Sequence, residues 1–167
     1  MKNLKLILPL FFLFTINSFA QDFEVPKNAK LDKAEDYAQY EQDVIDGVNW
    51  ALETPLGEDE SKRKDTYKFL ITWIIGSPNV SIVLNEKIMT FSGEGNCLII
   101  YMGAWTKYAL ESKDFTDELK GSLAGINAVI TFYEKNKKEM GKNKHVEKYI
   151  KLKKKGKLES TVKSRMA

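Results

Sequence analysis

Phe69-Leu70-Ile71-Thr72-Trp73-Ile74-Ile75 is the stretch on which the fold turns. Composition alone leaves it open, because a buried strand and a buried helix both take apolar residues on every side. The approach to it favours a helix. Ser61 to Lys68 is polar and carries no turn signal, so the whole element is too long for an ordinary strand. Glu58, Asp59 and Glu60 stand at its start, where carboxylates suit the positive end of a helix dipole. Gly76-Ser77-Pro78 ends it and offers a cap and a first-turn proline for whatever follows.

Toward the N-terminus, Thr54-Pro55-Leu56-Gly57 closes an earlier segment, since proline disfavours helical geometry in the residue before it. That segment, Asp32 to Glu53, places Tyr37, Tyr40, Val44, Val48, Ala51 and Leu52 on one face and Asp36, Gln39, Asp43 and Asp46 opposite. It is an acidic amphipathic helix. Residues 21–31, with Pro26, read as an extended leader.

Toward the C-terminus, a third helix is expected from Pro78 to about Met89, and Ser92-Gly93-Glu94-Gly95 breaks the chain again. Leu98, Tyr101, Met102, Trp105 and Ala109 define a fourth helix; Phe115, Leu119, Ile126, Ile130 and Tyr133, with Leu123 beside them, define a fifth. After a polar stretch with Gly141, Lys144, Lys148, Lys151 and Lys155 align on one face of a sixth helix, opposite Val146, Tyr149 and Ile150. Gly156 interrupts it. A short amphiphilic segment, Leu158 to Val162, leads into a terminus expected to fray over 159–167. About six helices with short connections make residues 32–158 a single all-α domain of antiparallel hairpins. Both a bundle and a short tetratricopeptide-like stack satisfy that pattern, although no 34-residue self-similarity is visible.

Lys2 and Lys5, the apolar run Leu6 to Ile16 and the small-residue ending Ser18-Phe19-Ala20 have the form of a secretory signal peptide over residues 1–20. Export to the periplasm or the exterior is therefore expected. The apolar run is well short of the roughly 20 residues a spanning helix needs, and nothing later in the chain is long and apolar enough, so no transmembrane segment is expected in the mature chain. One cysteine, Cys97, excludes an intramolecular disulfide, and its neighbours Leu98-Ile99-Ile100 mark it as core rather than nucleophile.

Charge is divided along the chain. Residues 21–133 hold 11 Lys plus Arg against 19 Asp plus Glu, whereas residues 134–167 hold 13 against 4. An acidic body is followed by a basic tail.

Nothing in the chain matches a motif-bearing enzyme class: HExxH, a phosphate-binding loop, a GxSxG elbow and paired cysteines are all missing. His145 lies among lysines without the companions of a metal site, so no metal and no cofactor are expected. Glu58-Asp59-Glu60 lacks the alternation of a calcium loop and reads as helix-dipole stabilisation. Glu94, with Glu86 or Asp114, is the one combination from which a carboxylate pair for hydrolysis could be drawn. Asn79-Val80-Ser81 matches a eukaryotic glycosylation pattern to which no role is assigned. Trp50 projects among Asp36, Asp43 and Asp46, either as a binding anchor or folded onto Pro55, Leu56 or another helix.

At Tyr40-Glu41, Asn49-Trp50, Thr54-Pro55 and the stretch from Trp73 to Gly76-Ser77-Pro78, the chain resembles small secreted helical proteins of uncharacterised function from the Bacteroidota. The resemblance implies export and a helical fold, and it brings no activity or catalytic residue.

The reading these features carry is a non-enzymatic exported helical domain that binds a protein or an anionic macromolecule. Lys144, Lys148, Lys151, Lys155 and Trp50 are its candidate contacts. Anionic lipid, acidic polysaccharide or nucleic acid read through charge alone would all satisfy the lysine stripe; sequence-specific nucleic-acid binding is not expected. Three alternatives stay open: a tail that docks on the acidic first helix, a stress-response or envelope scaffold recognised through helix–helix contacts, and a small envelope hydrolase whose carboxylates come from different helices.

Overall fold

A computed structural model describes residues 23–167, so the expected signal peptide lies outside the described residues. The described chain contains eight helices and no strand. The deciding stretch lies in helix α3 (Glu60–Gly76), where Phe69, Leu70, Trp73 and Ile74 are buried and Ile75 is 75% exposed. Asp59 starts it in a left-handed conformation, φ 43°, with its carboxylate accepting from the Lys62 amide at 3.3 Å. That bond satisfies one of the open donors of the first turn.

The acidic segment expected as one helix is two: α1 (Ala34–Ala38) and α2 (Glu41–Glu53). In the last turn of α1, the Tyr37 carbonyl accepts from the Tyr40 amide at 3.1 Å and from the Trp73 indole N–H at 3.0 Å. A tertiary bond to α3 thus turns the chain where local periodicity runs on.

Helices α4 (Gly95–Ser112) and α5 (Glu118–Lys135) form the central antiparallel hairpin. Their close approach comes from α5 glycines. A Cβ on Gly121 would lie 2.2 Å from the Trp105 ring nitrogen, and one on Gly125 would lie 2.5 Å from the Tyr101 ring. The two aromatic rings pack directly on the α5 backbone, and the Tyr101 hydroxyl donates to Ser122 Oγ at 3.3 Å. On one side α2 and α3 pack against α4; on the other, α7 (Lys144–Lys154) and α8 (Leu158–Met166) pack against α5, with the single turn α6 (Lys137–Met140) between. The result is a non-repeating bundle. One apolar cluster joins α4, α5, α7 and α8, and a second joins α2, α3, Val80 and Leu110.

Two expectations are corrected. The helix expected from Pro78 to Met89 does not form; residues 77–94 are an irregular crossing segment. Ser77 Oγ accepts from the Val80 amide at 3.3 Å as a cap would, but β-branched Val80, Ile82 and Val83 favour extended backbone. The segment is instead held by burying Val80, Ile88, Met89 and Phe91 separately. The second correction concerns the end expected to fray over 159–167: residues 159–166 form most of α8, because Leu158 and Val162 are buried against the core.

Candidate functional site

Asn143 caps α7, its side-chain oxygen accepting from the amides of His145 at 3.0 Å and Val146 at 3.1 Å. From this start the apolar residues Val146, Tyr149 and Ile150 turn inward and are buried, and Lys144, Lys148, Lys151 and Lys155 turn to solvent. Among the described residues none of these four lysines has a carboxylate within ion-pairing distance. The one acid of α7, Glu147, is taken by Lys137 at 2.5 Å and by the Tyr133 hydroxyl at 3.0 Å. Those two bonds, the lysine's first, hold its carboxyl below the usual carboxylate range.

Lys151, Lys153 and Lys154 occupy the last turn of α7, where positive charge meets the negative end of the dipole. Gly156, at φ 65°, then ends the helix with paired bonds from Lys157 N to the Leu152 carbonyl at 2.9 Å and from Gly156 N to the Lys153 carbonyl at 3.0 Å. This is a Schellman closure, which needs the left-handed backbone that glycine accepts at low cost. It reverses the chain into α8, so the lysines ride on a hairpin whose inner side is anchored to α5.

The far end of the hairpin clasps the crossing segment. Arg165 Nη1 donates to the Lys87 carbonyl at 3.1 Å and to the Tyr149 hydroxyl at 2.6 Å. The Tyr149 hydroxyl in turn donates to the Ile88 carbonyl at 2.5 Å, and Asn85 Nδ2 donates to the Arg165 carbonyl at 3.3 Å. Burial pushes the Tyr149 hydroxyl above its ordinary pKa, with Arg165 acting in the opposite direction. Three separate pieces of chain therefore meet at one bonded corner.

The acidic helix is engaged elsewhere. Glu41 pairs with Lys113 at the end of α4, at 2.9 Å, and α2 packs on α3, α4 and α5 rather than on α7. Burial, and then the neighbouring Asp46, raises the Asp43 carboxyl. The lysine stripe thus does not dock on the acidic helix.

Trp50 is separate from the stripe. It is half-buried on α2 beneath the start of α3, with Lys62 Nζ and the Arg63 guanidinium each 5.3 Å from its ring centroid. Beside it lies a residue that the sequence reading passed over. Arg63 is 3% exposed and donates to the carbonyls of Ala51 at 3.3 Å, Thr54 at 2.7 Å and Pro55 at 3.0 Å, and to the Tyr67 hydroxyl at 3.2 Å. It closes the C-terminal end of α2, whose open carbonyls and dipole compensate the buried cation. A signal was present: the chain has 24 lysines and only two arginines, Arg63 and Arg165. Each bridges several acceptors at once, which a lysine ammonium cannot do in the same planar geometry.

The remaining candidates resolve into structural duties or into separation. Cys97 is fully buried, and burial followed by the Glu94 charge pushes its thiol up to about 12. Asp59 and Glu60 are capping groups, Glu60 accepting from the Gly57 amide at 2.9 Å. Asp114 accepts from the amides of Thr116 at 3.2 Å and Asp117 at 3.1 Å in the turn before α5. Glu86, Glu94 and His145 are exposed. Two shallow depressions, of about 340 and 230 Å³, lie between the leader and α3, and none of Glu86, Glu94 and Asp114 lines either. Among the described residues no cluster of His, Cys, Asp or Glu could hold a metal ion, and no helix is long and apolar enough to cross a membrane.

An all-α bundle that carries a basic hairpin on one side is the class defined by these features. No family model, curated protein or solved structure matches the chain.

Proposed function

We propose that this protein is an exported, non-enzymatic helical domain that binds an anionic macromolecule through the α7–α8 hairpin. The single observation that carries the reading is the lysine stripe: Lys144, Lys148, Lys151 and Lys155 are exposed and have no described carboxylate partner, on a helix whose opposite face is locked into the core. At 1.5 Å rise per residue the stripe runs roughly 16 Å, enough to meet several charges of an extended polyanion or a charged surface at once. Its rigidity matters because the lysine positions are set before binding, so the ordering cost falls mainly on the side chains. Export rests on the N-terminal signal pattern.

The test is retention on heparin as a generic polyanion. Retention is expected to fall steeply with salt and to be lost when Lys144, Lys148, Lys151 and Lys155 are changed together to Glu. Charge reversal of Asp36 and Glu35 on α1 should leave binding in place. Retention unchanged by the four lysine substitutions would refute the reading.

A further inference from the structure

We infer that the anionic partner is a lipid bilayer, and that the exposed pair Val83-Leu84 enters its headgroup region beside the basic hairpin. This rests on the polyanion reading above and names its source. Helix α7 supplies charge but little free apolar surface, since Val146, Tyr149 and Ile150 are spent on the core. The crossing segment supplies what is missing. Val83 is 46% and Leu84 50% exposed, and with Ile75 they are the large apolar side chains left open in the described chain. Single exposed apolar residues are ordinary; two in succession on a pinned segment next to cations are a different case.

The pinning is specific. Asn85, next to Leu84, donates to the Arg165 carbonyl, and Arg165 donates back to the Lys87 carbonyl, so the pair adjoins the last turn of α8 with its Lys163 and Arg165. Lys87 is exposed in the same turn, and Glu86 is the one carboxylate there. Residues 77–85 carry no charge. Apolar side chains bordered by cations match an anionic membrane surface, where lysines meet headgroups and apolar tips enter below them. Nucleic acid or polysaccharide would use the lysines and leave the apolar pair in water. Depth is limited by the backbone. Among the described residues the amides and carbonyls of Ser81 to Leu84 make no hydrogen bond, and such groups are tolerated at the hydrated interface but not in the hydrocarbon.

The experiment compares vesicles of phosphatidylcholine alone, vesicles with added phosphatidylglycerol, and heparin, using the purified protein, Val83→Ser/Leu84→Ser, and the four-lysine charge reversal. A Leu84→Cys variant carrying an environment-sensitive fluorophore reports insertion, since Cys97 is buried and stays unlabelled. Expected are binding to heparin and, of the two kinds of vesicle, only to those containing phosphatidylglycerol, with a blue shift of the label on vesicle binding. The serine pair should weaken vesicle binding by about tenfold or more and leave heparin binding intact. Lysine-dependent binding to heparin and vesicles that ignores the serine pair, with no shift of the label, overturns the membrane inference and leaves the polyanion reading standing. Binding to neither ligand overturns both. A change in oligomeric state on serine substitution, with vesicle binding unaltered, assigns the pair to self-association and also overturns the inference.

Discussion

Arg165 donates to the hydroxyl of Tyr149 at 2.6 Å while its guanidinium lies 5.4 Å from the centroid of the same ring. The contact joins α8 to α7 and, through the carbonyls of Lys87 and Ile88, fastens the crossing segment between α3 and α4 to both. Residues 80 positions apart in sequence, Asn85 and Arg165, are bonded at that corner. An irregular segment of this length needs such tertiary bonds, because it has no helical ladder of its own to satisfy its backbone.

Arg165→Ala is expected to lower stability by about 1–3 kcal/mol and to loosen the crossing segment locally before the bundle unfolds. Hydrogen exchange at residues 85–91 should accelerate while α4 and α5 stay protected. Tyr149→Phe should reproduce part of the effect. Uniform acceleration through the molecule would show that the clasp has no local role.

Arg63→Lys is expected to destabilise almost as much as Arg63→Ala, by about 2–4 kcal/mol in urea unfolding. One ammonium cannot reach the carbonyls of Ala51, Thr54 and Pro55 and the Tyr67 hydroxyl together, so buried acceptors are left unpaired. A lysine variant as stable as the parent would contradict this account.

Gly125→Ala is expected to cost about 1–3 kcal/mol through overpacking, although alanine is the better helix former. Its Cβ would be 2.5 Å from the Tyr101 ring and 2.9 Å from the Tyr101 carbonyl oxygen, which cannot move aside as a flexible side chain would. Gly93→Ala is the control, because nothing lies within 4 Å of a Cβ there. Thermal unfolding of the two variants side by side separates crowding from a general effect of losing glycine.

The Lys137–Glu147 pair predicts a pH response at both ends. The Glu147 carboxyl is lowered from 4.5 in the folded protein by Lys137 and then Tyr133, so its contribution is present above the unfolded value and lost as pH falls through the folded one. Lys137 is raised from 10.5, chiefly by Glu147, so its contribution is present below that value and lost as pH rises through the folded one. Glu147→Gln should therefore flatten both limbs of the stability profile. Lys137 is exposed and Glu147 half-buried at the surface, and added salt should shrink the difference from the parent.

The helical class was legible because long amphipathic patterns carry it: the inward residues Ile126, Ile130 and Tyr133 of α5, and Val146, Tyr149 and Ile150 of α7, are buried as their spacing requires. The lysine stripe was legible for the same reason, since a helix with a buried face must turn its remaining residues outward. The crossing segment was not. Ser77-Pro78 signals a helix start whether or not the residues that follow sustain one, and Ile88, Met89 and Phe91 find their burial sites on partners distant in sequence.

By itself the sequence determined the local quantities: where α3, α4, α5 and α7 begin and end to within a few residues, which face of the amphipathic helices is apolar, and where charge of each sign accumulates. These depend on neighbours three or four positions away, and the chain displays such neighbours directly. Only the tertiary structure decided that Trp73 divides the first helix by claiming the Tyr37 carbonyl and that two arginines clamp carbonyls far along the chain. It also decided that Val83 and Leu84 lie next to the basic end of α8. Bonds of that kind form between groups whose proximity is created by packing, and no periodicity records them in advance.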